Sequence, residues 1–282
     1  MVFSQAYFLE FKYKLLRKTY CIGERMSNLS YTIRHTNRFE LKYLINLKMA
    51  ERIRDELGNY LETDEHGNGN GFYQISSLYY DSPDFRCYWE KMDGVRYRRK
   101  LRIRYYENHD RLDSNSPVYV EIKQRYDRVT QKRRIVLPYQ DAIHLCNSRQ
   151  FPIQISKNDQ AVINEINAFT WQFNLRPVSI VRYQRQAFVG SDFDIGLRVT
   201  FDTQLSSQTY PLDLGDLSTT IPMFSPDQVI LEIKVNERIP YWLTELVAGY
   251  NLRMVRVSKY CRSIDKSNVF PSFSANYLLS VS

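Results

Sequence analysis

The chain has 282 residues, of which 43% are hydrophobic, and its formal net charge at neutral pH is +8. This length suits one large domain or two small ones, and the hydrophobic content is enough to bury a core, which excludes a disordered chain. The basic charge indicates polyanionic partners, such as nucleic acid, nucleotides, phosphate chains or an anionic membrane surface. No apolar run approaches the roughly 18 residues that a membrane helix needs. Four scattered cysteines predict reduced thiols in a cytoplasmic protein rather than a zinc site.

Alternating and helical patterns predict a mixture of strands and helices along the chain. Residues 38–43 alternate and predict a strand, after which Asn46 is expected to cap an amphipathic helix over about residues 47–61. Further strands are predicted at about residues 73–80, 99–106, 117–125, 132–137, 177–189, 196–203, 228–237 and 252–257. Further helices are predicted at about residues 139–146, 159–172 and 240–248.

Two short helices complete the prediction. Ser82 is expected to cap a helix that starts at Pro83, with Asp81 as a capping or turn residue, and Ser258 and Lys259 open a last helical turn. The number of strands, the interspersed helices and the lack of a linker predict one α+β domain. Its antiparallel sheet is expected to close, with helices covering the apolar outer face.

Three predicted strands carry Glu-x-Lys, namely Glu40-Leu41-Lys42, Glu121-Ile122-Lys123 and Glu232-Ile233-Lys234, and a fourth carries Arg102-Ile103-Arg104. In a strand, residues i and i+2 point to the same face, so each segment has one charged and one apolar face. A single such pair is typical of a solvated ion pair, which contributes only tenths of a kcal/mol to about 1 kcal/mol. The repetition instead favours charged faces that turn inward to line a tunnel.

The balance of charge on these strands indicates the ligand. Eight cations stand against three carboxylates in the set Arg38, Glu40, Lys42, Arg102, Arg104, Glu121, Lys123, Arg125, Arg198, Glu232 and Lys234. The excess of cations predicts a strongly anionic ligand, and the carboxylates suit a hard divalent cation held between carboxylate and phosphate oxygens. A triphosphate with Mg²⁺ or Mn²⁺ meets both requirements.

The order of these segments resembles a known family. The matching segments are Arg38-Phe39-Glu40-Leu41-Lys42-Tyr43, Ser77-Leu78-Tyr79-Tyr80-Asp81, Lys100-Leu101-Arg102-Ile103-Arg104-Tyr105, Val120-Glu121-Ile122-Lys123, Tyr183-Gln184-Arg185-Gln186-Ala187-Phe188, Arg198-Val199-Thr200-Phe201-Asp202-Thr203, Leu231-Glu232-Ile233-Lys234 and Ser258-Lys259-Tyr260. Together they resemble the polyphosphate polymerase domain of the vacuolar transporter chaperone family, which is part of the triphosphate tunnel metalloenzyme superfamily. The resemblance runs from about residue 34 to 266. The tunnel domain is therefore expected at 34–266, with a tail at 267–282. Residues 1–33 are expected to form a poorly ordered extension, and the basic and aromatic composition of residues 1–25 leaves a surface-seeking amphipathic segment as the alternative.

The resemblance implies a closed eight-stranded antiparallel β-barrel, the triphosphate tunnel, and assigns roles to its charged residues. Residues implied to act on the transferred phosphoryl group are Lys42, Arg102, Arg104, Lys123, Lys234 and Lys259. Further phosphate or nucleotide contacts are implied for Arg38, Arg125, Lys132, Arg134, Arg185 and Arg198, and Lys132, Arg133 and Arg134 can face inward only alternately. Glu232 is implied to hold Mn²⁺ or Mg²⁺, with Glu40 and Glu121 supporting the metal or orienting the lysines.

The activity that the resemblance implies is transfer of the γ-phosphoryl group of ATP onto a growing polyphosphate chain or inorganic phosphate. An inorganic or nucleoside triphosphatase that uses the same tunnel is the close alternative. A non-catalytic polyanion or RNA binder is the alternative from another class, although no nucleic acid partner is expected. The expected location is the cytoplasm, with peripheral membrane attachment and a separate membrane-protein partner left open.

Overall fold

The computed structural model describes residues 38–64, 71–107, 111–127, 129–148, 157–190, 194, 196–236 and 238–267. The strands are β1 (Arg38–Asn46), β2 (Leu61–Thr63), β3 (Phe72–Asp81), β4 (Tyr97–Glu107), β5 (Pro117–Tyr126), β6 (Val129–Pro138), β7 (Arg176–Gly190), β8 (Arg198–Gln208), β9 (Ile221–Pro222) and β10 (Gln228–Asn236). The helices are α1 (Leu47–Leu57), α2 (Arg86–Met92), α3 (Tyr139–Ser148), α4 (Lys157–Phe173), α5 (Tyr241–Gly249) and α6 (Lys259–Asp265). The predicted extension at residues 1–33 lies outside the described residues, as does the predicted tail beyond Ser267.

All of the strands belong to one antiparallel sheet. Eight strands follow each other in the order β1-β10-β8-β7-β3-β4-β5-β6, and the short strands β2 and β9 pair with β7 and β8. The prediction of an α+β fold on an antiparallel sheet, with eight main strands, is confirmed. None of the described helices is long and apolar enough to cross a membrane.

The predicted closure of this sheet is not made by hydrogen bonds. In the part of the chain that the structure describes, no strand ladder joins β1 to β6. The free edge of β1 is occupied instead by the segment before α6. The N–H of Val255 donates to the carbonyl of Lys42 at 2.8 Å, and Met254 forms an isolated antiparallel bridge with Tyr43. The sheet nevertheless curls, since Lys123 on β5 reaches Glu40 on β1 at 3.2 Å.

Strand alternation explains which way each face points. Leu101 and Ile122 are fully buried against the helices α3 and α4, in a core that covers the outside of β3 to β7. Ile233 is buried with residues of α1 and α5 in a second core that covers β1, β8 and β10. Residues one position away along the same strands carry the charges, so the charged faces turn to the inner, concave side of the sheet.

Helix boundaries follow local capping chemistry. Asn46 caps α1 as predicted, because its Oδ1 accepts from the N–H of Met49 at 2.8 Å, but the helix ends at Leu57 and Leu61 lies in β2. The prediction that a helix starts at Pro83 was wrong, since α2 begins at Arg86. The predicted strand at 252–257 is reduced to the single bridge at Met254.

Asp81 holds α2 and α6 against the end of β3. Its buried carboxylate accepts from the backbone N–H groups of Ser82 and Cys87 at 2.7 and 2.8 Å, from that of Tyr88 at 3.1 Å, and from the hydroxyl of Tyr260. Three of these donors follow Asp81 closely in the sequence, whereas the fourth, Tyr260, is 179 residues away on α6. The prediction that Asp81 is a capping or turn residue is confirmed by this arrangement.

We expect Asp81→Asn to lower the free energy of unfolding by at least about 2 kcal/mol, because the amide nitrogen would face buried donors and leave them unsatisfied. Urea unfolding measures the loss. Asp55→Asn, which changes an exposed carboxylate on α1, is the matched control and is expected to change stability by less than about 0.5 kcal/mol. Equal stability of the two variants would show that Asp81 does not join these elements.

Candidate active site

The concave face of the sheet brings together charged residues that are far apart in the sequence, as the register of the strands shows. Lys42 lies opposite Glu232 and Glu40 opposite Lys234 on β1 and β10, whereas Arg102 lies opposite Glu121 on β4 and β5. The charges therefore form two clusters, one on β1, β10, β8 and β7 and one on β3, β4, β5 and β6.

The first cluster is built from the Glu-x-Lys segments of β1 and β10. Glu40 pairs with Lys42 at 2.9 Å and with Lys123 at 3.2 Å, and Glu232 pairs with Lys234 at 2.7 Å. Glu40 and Glu232 are diagonal neighbours in the β1–β10 ladder, so their carboxylates act in the field of the same lysines. Three lysines and two carboxylates thus meet at one place on the concave face.

Asp202 extends this cluster to β7 and α6. Its fully buried carboxylate accepts two hydrogen bonds from the guanidinium of Arg185, at 2.6 and 2.7 Å, and pairs with Lys259 at 2.5 Å. Ser258 places Lys259 there, because its Oγ accepts from the N–H of Cys261 and starts α6. Arg185 also lies 3.9 Å from Glu232, which connects the two carboxylates.

The second cluster surrounds Arg102 on β4. Its guanidinium pairs with the buried Glu121 at 2.7 Å and donates to the hydroxyl of Tyr79 at 3.2 Å, and Glu121 also pairs with Lys132 at 3.3 Å. Arg104, two residues further along β4, is 7% exposed and donates to hydroxyl oxygens rather than to a carboxylate. A buried guanidinium of this kind keeps much of its charge available to an anion.

Tyr183 on β7 connects the two clusters. Its hydroxyl accepts from Arg104 at 3.2 Å, and the Nζ of Lys259 lies 4.7 Å from the centre of its ring. On the opposite side, Lys123 and Glu40 join β5 to β1. The clusters are therefore two walls of one site.

The electrostatics keep the carboxylates of the site ionised. Burial acts to raise the pKa of Glu40, but Lys123, Lys42 and Lys234 outweigh burial and lower that pKa to about 2. Burial is likewise outweighed at Asp202, where Arg185 and Lys259 lower the pKa to about 2. At Lys234, by contrast, burial is only partly offset by Glu232 and lowers the pKa to about 8.

The remaining predicted phosphate contacts occupy different places. Arg198 on β8 pairs with Asp64 at 2.5 Å, and Arg134 on β6 lies 4.9 Å from the ring centre of Tyr119 on the concave face. Arg125 is exposed at the end of β5, away from both clusters, and its Nε donates to the carbonyl of Asp127.

Two further predictions concern residues 132–134 on β6 and Arg38 on β1. The alternation predicted for residues 132–134 is confirmed, because Arg133 turns to the outside and pairs with Glu165 of α4 at 2.5 Å. Arg38 begins β1, and its side chain lies outside the described residues.

The three glutamates predicted to support a metal do not form one ligand set. Glu40 and Glu232 share the first cluster, whereas Glu121 pairs with Arg102 and Lys132 in the second. The described residues contain no group of three or more His, Cys, Asp or Glu that could hold a metal ion. Two carboxylates are sufficient for Mg²⁺, which usually binds one or two carboxylates together with substrate phosphates, so Glu232 and Glu40 fit such an ion when a phosphate ligand is present.

Asp202 and the tyrosines were missing from the predicted set. Asp202 shares a strand face with Arg198 at i+4, so the alternation of β8 contained the signal. Tyr79 and Tyr183 carry no charge, and their role as partners of Arg102 and Arg104 depends on strand pairing that only the folded sheet shows.

We expect Tyr79 to ionise near pH 8 and to report an anion in the site. Burial raises the pKa of Tyr79, but Arg102 and Arg104 outweigh burial and lower it to about 8. Phenolate absorbance during a pH titration measures this ionisation. Inorganic tripolyphosphate is expected to shift it to higher pH, because a bound anion neutralises the field of the arginines.

The Tyr79→Phe variant provides the reference for this titration, since it removes the ionisation near pH 8 and leaves the other tyrosines in place. Tyr210→Phe, which alters a ring that is 82% exposed, is the matched control and keeps the transition. A transition that persists in Tyr79→Phe, or one that tripolyphosphate does not shift, would contradict the assignment of an anion beside Arg102.

Comparison with known proteins places the chain among its relatives. It is 24% identical over 221 residues to the vacuolar transporter chaperone complex subunit 4 of Trypanosoma brucei brucei, and 25% identical over 221 residues to the protein of the same name from Trypanosoma cruzi. Each match covers 67% of this chain and 28% of the relative, so the chain corresponds to less than a third of these proteins.

Solved structures share a distant likeness with the chain. A putative adenylate cyclase of Bacillus halodurans aligns with a TM-score of 0.44 and 15% identity, and covers 78% of this chain and 92% of its own. A protein of Pyrococcus horikoshii aligns with a TM-score of 0.43 and 13% identity, and covers 82% of this chain and 99% of its own. These TM-scores are too low to carry an argument about function.

The family is shown by a model that spans most of the chain. The model of the VTC domain matches residues 37–268, which include every strand and helix described above. The chain therefore belongs to the VTC domain family.

Proposed function

We propose that this protein is a metal-dependent polyphosphate polymerase, which transfers the γ-phosphoryl group of ATP to the end of a polyphosphate chain or to inorganic phosphate. The observation that carries the proposal is the concave face on which Lys42, Lys259 and Arg185 meet Arg102 and Arg104 across Tyr183. Membership of the VTC domain family and the similarity to subunit 4 of vacuolar transporter chaperone complexes support a role in polyphosphate synthesis.

The cations would bind and orient the phosphates. Phosphoryl transfer depends mainly on positioning and on stabilisation of charge that spreads over the transferred group. Arg104 lacks a carboxylate partner among the described residues and can donate to a phosphate oxygen without first breaking an ion pair. Burial lowers the pKa of Lys42, but Glu232 and Glu40 outweigh burial and hold this pKa above its usual value, which keeps the ammonium charged.

The reaction needs no general base. A terminal phosphate oxygen of the acceptor is already anionic at neutral pH and forms the new bond to the γ-phosphorus, while the bond from that phosphorus to the β–γ bridging oxygen breaks and ADP leaves. His144, the histidine among the described residues, lies on α3 outside the concave face. A bound Mg²⁺ or Mn²⁺ would supply additional stabilisation of the phosphate charges.

Asp202 is proposed to position the cations rather than to contact the substrate. Its two oxygens are taken by Arg185 and Lys259, so it orients these two side chains on a wall that the substrate would meet. Glu121 does the same for Arg102. Asp202 and Glu121 therefore act through the cations, whereas Glu232 and Glu40 remain the proposed metal ligands.

The aromatic residues argue against RNA binding by base stacking. Tyr73 and Tyr106 pack on each other with ring centres 5.9 Å apart, and Tyr106 meets Tyr119 edge to face at 5.4 Å. Tyr79 and Tyr183 are 6% and 2% exposed, so neither presents an open ring face to a base. These tyrosines support the arginines instead.

Incubation with ATP and Mn²⁺ tests the activity. We expect phosphate chains longer than triphosphate, resolved on a polyacrylamide gel, together with a matching amount of ADP. Release of inorganic phosphate without chains would favour a triphosphatase on the same site. Neither product, together with tight binding of single-stranded RNA, would favour the non-catalytic binder.

Glu232→Gln and Glu121→Gln separate the proposed metal ligand from a positioning carboxylate. We expect Glu232→Gln to raise the Mn²⁺ concentration for half-maximal activity about tenfold or more, because a carboxylate ligand is lost. Glu121→Gln is the matched control, expected to lower the rate without changing the Mn²⁺ dependence, since Arg102 loses its partner. The same Mn²⁺ dependence in both variants would remove Glu232 from the metal site.

A further inference from the structure

A second group of cations lies at one end of the concave face and adjoins the site described above, because one of its members, Lys100, lies opposite Lys123 in the β4–β5 ladder. We define this basic mouth by four residues, Lys91 at the end of α2, Arg98 and Lys100 on β4, and Arg125 on β5. Arg98 lies opposite Arg125 in the β4–β5 ladder, and Lys100 shares its strand face with Arg98. The Nζ of Lys100 donates to the Oγ of Ser258 at 3.2 Å, so Lys100 lies where the mouth meets the central site.

The basic mouth differs from the two clusters in its lack of carboxylates. In the part of the chain that the structure describes, none of its four residues forms an ion pair, and Arg98 and Arg125 donate only to backbone carbonyl oxygens. Glu90, which acts on Arg98, is itself paired with Arg86 at 2.7 Å. Among the described residues, the cations of the mouth thus lack carboxylate partners of their own.

Such a grouping is unfavourable without a ligand. Like charges that lie directly opposite each other on paired strands destabilise a sheet. Arg98 and Arg125 are such a pair. Their repulsion extends to α2, where burial and then Arg98, Lys100 and Arg125 lower the pKa of Lys91. An anion bound among the four would remove this repulsion, so the mouth has the chemistry of an anion site.

The length of β4 determines which anion can use both this mouth and the central site. Arg98 and Arg102 are four residues apart on one strand face, which corresponds to about 13 Å at 3.3 Å per residue. A triphosphate held between Arg102 and Arg104 is too short to reach Arg98. A linear phosphate chain several units longer spans the distance and meets Lys100 on the way.

We propose that the basic mouth binds the distal part of a long polyphosphate chain, whereas the central site binds the triphosphate and the reacting chain end. This assignment rests on the proposed function, because it takes polyphosphate as the ligand of the central site. The mouth then determines the preference for chain length, since only ligands longer than a triphosphate reach Arg98 and, opposite it, Arg125.

Binding of inorganic tripolyphosphate and of long-chain inorganic polyphosphate, each measured by calorimetry without ATP or metal, tests the proposal. The test variant is the double substitution Arg98→Gln with Arg125→Gln. The matched control is Arg52→Gln with Arg238→Gln, which removes two positive charges from exposed positions on α1 and near α5. Circular dichroism verifies that both variants are folded.

We expect the test variant to weaken long-chain binding about tenfold or more and to leave tripolyphosphate binding within about twofold. The slope of log affinity against log salt for the long chain is expected to fall by about 1.4, because each cation on a single-stranded polyanion contributes about 0.7. The control variant is expected to keep the wild-type affinity and slope for both ligands. During turnover, the test variant is expected to release shorter chains than the control.

Other results would overturn the proposal in distinguishable ways. Unchanged long-chain affinity in the test variant would show that the mouth does not contact the chain. Equal losses for both ligands would place Arg98 and Arg125 in the triphosphate site. A larger loss for single-stranded RNA than for polyphosphate would make nucleic acid the ligand of the mouth. Failure of the wild-type protein to bind tripolyphosphate would instead contradict the proposed function of the central site.

Discussion

The concentration of buried charge on one face of the sheet is the constraint on which the rest of the structure depends. A buried ion without a partner is strongly unfavourable, so each cation that enters the concave face needs a carboxylate or hydroxyl beside it. Asp202 satisfies Arg185 and Lys259 together, and Glu121 satisfies Arg102 and Lys132. The pairs also define the geometry of the walls, because a bidentate contact such as that of Arg185 restricts where the guanidinium can point.

The apolar outer face of the sheet determines the side to which the charged residues point. Every second residue of the central strands is buried against helices, so the sheet cannot turn its charged face outward without exposing both cores. The same register holds the clusters opposite each other, and the segment that pairs with β1 through Val255 delivers α6 and Lys259 to the inner side. The helix α6, which supplies Lys259 to the site, is thus positioned by the segment that pairs with the edge of β1.

The charges also vary along the concave face. In the central clusters most cations have carboxylate partners, which moderate the positive potential. Toward Arg98 and Arg125 the cations continue, but in the described part of the chain no carboxylate forms an ion pair with these two residues. A polyanion on this face would meet a balanced, preorganised region at one end and an uncompensated positive region at the other. This gradient suits a ligand with one reacting end and a long, uniform body.

The sequence by itself determined the eight main strands and the face of each strand that carries its charges, because strand alternation assigns each residue to a face without knowledge of its neighbours. It predicted Glu40 and Lys42 on one side of β1, Asn46 as a cap and Ser258 at the start of the last helical turn, since these effects act within a few residues. Only the tertiary structure decided which charges meet. The separation of Glu121 from Glu232, the role of Asp202 and the open edge of β1 all depend on strand order and register, which are set by contacts between residues far apart in the chain.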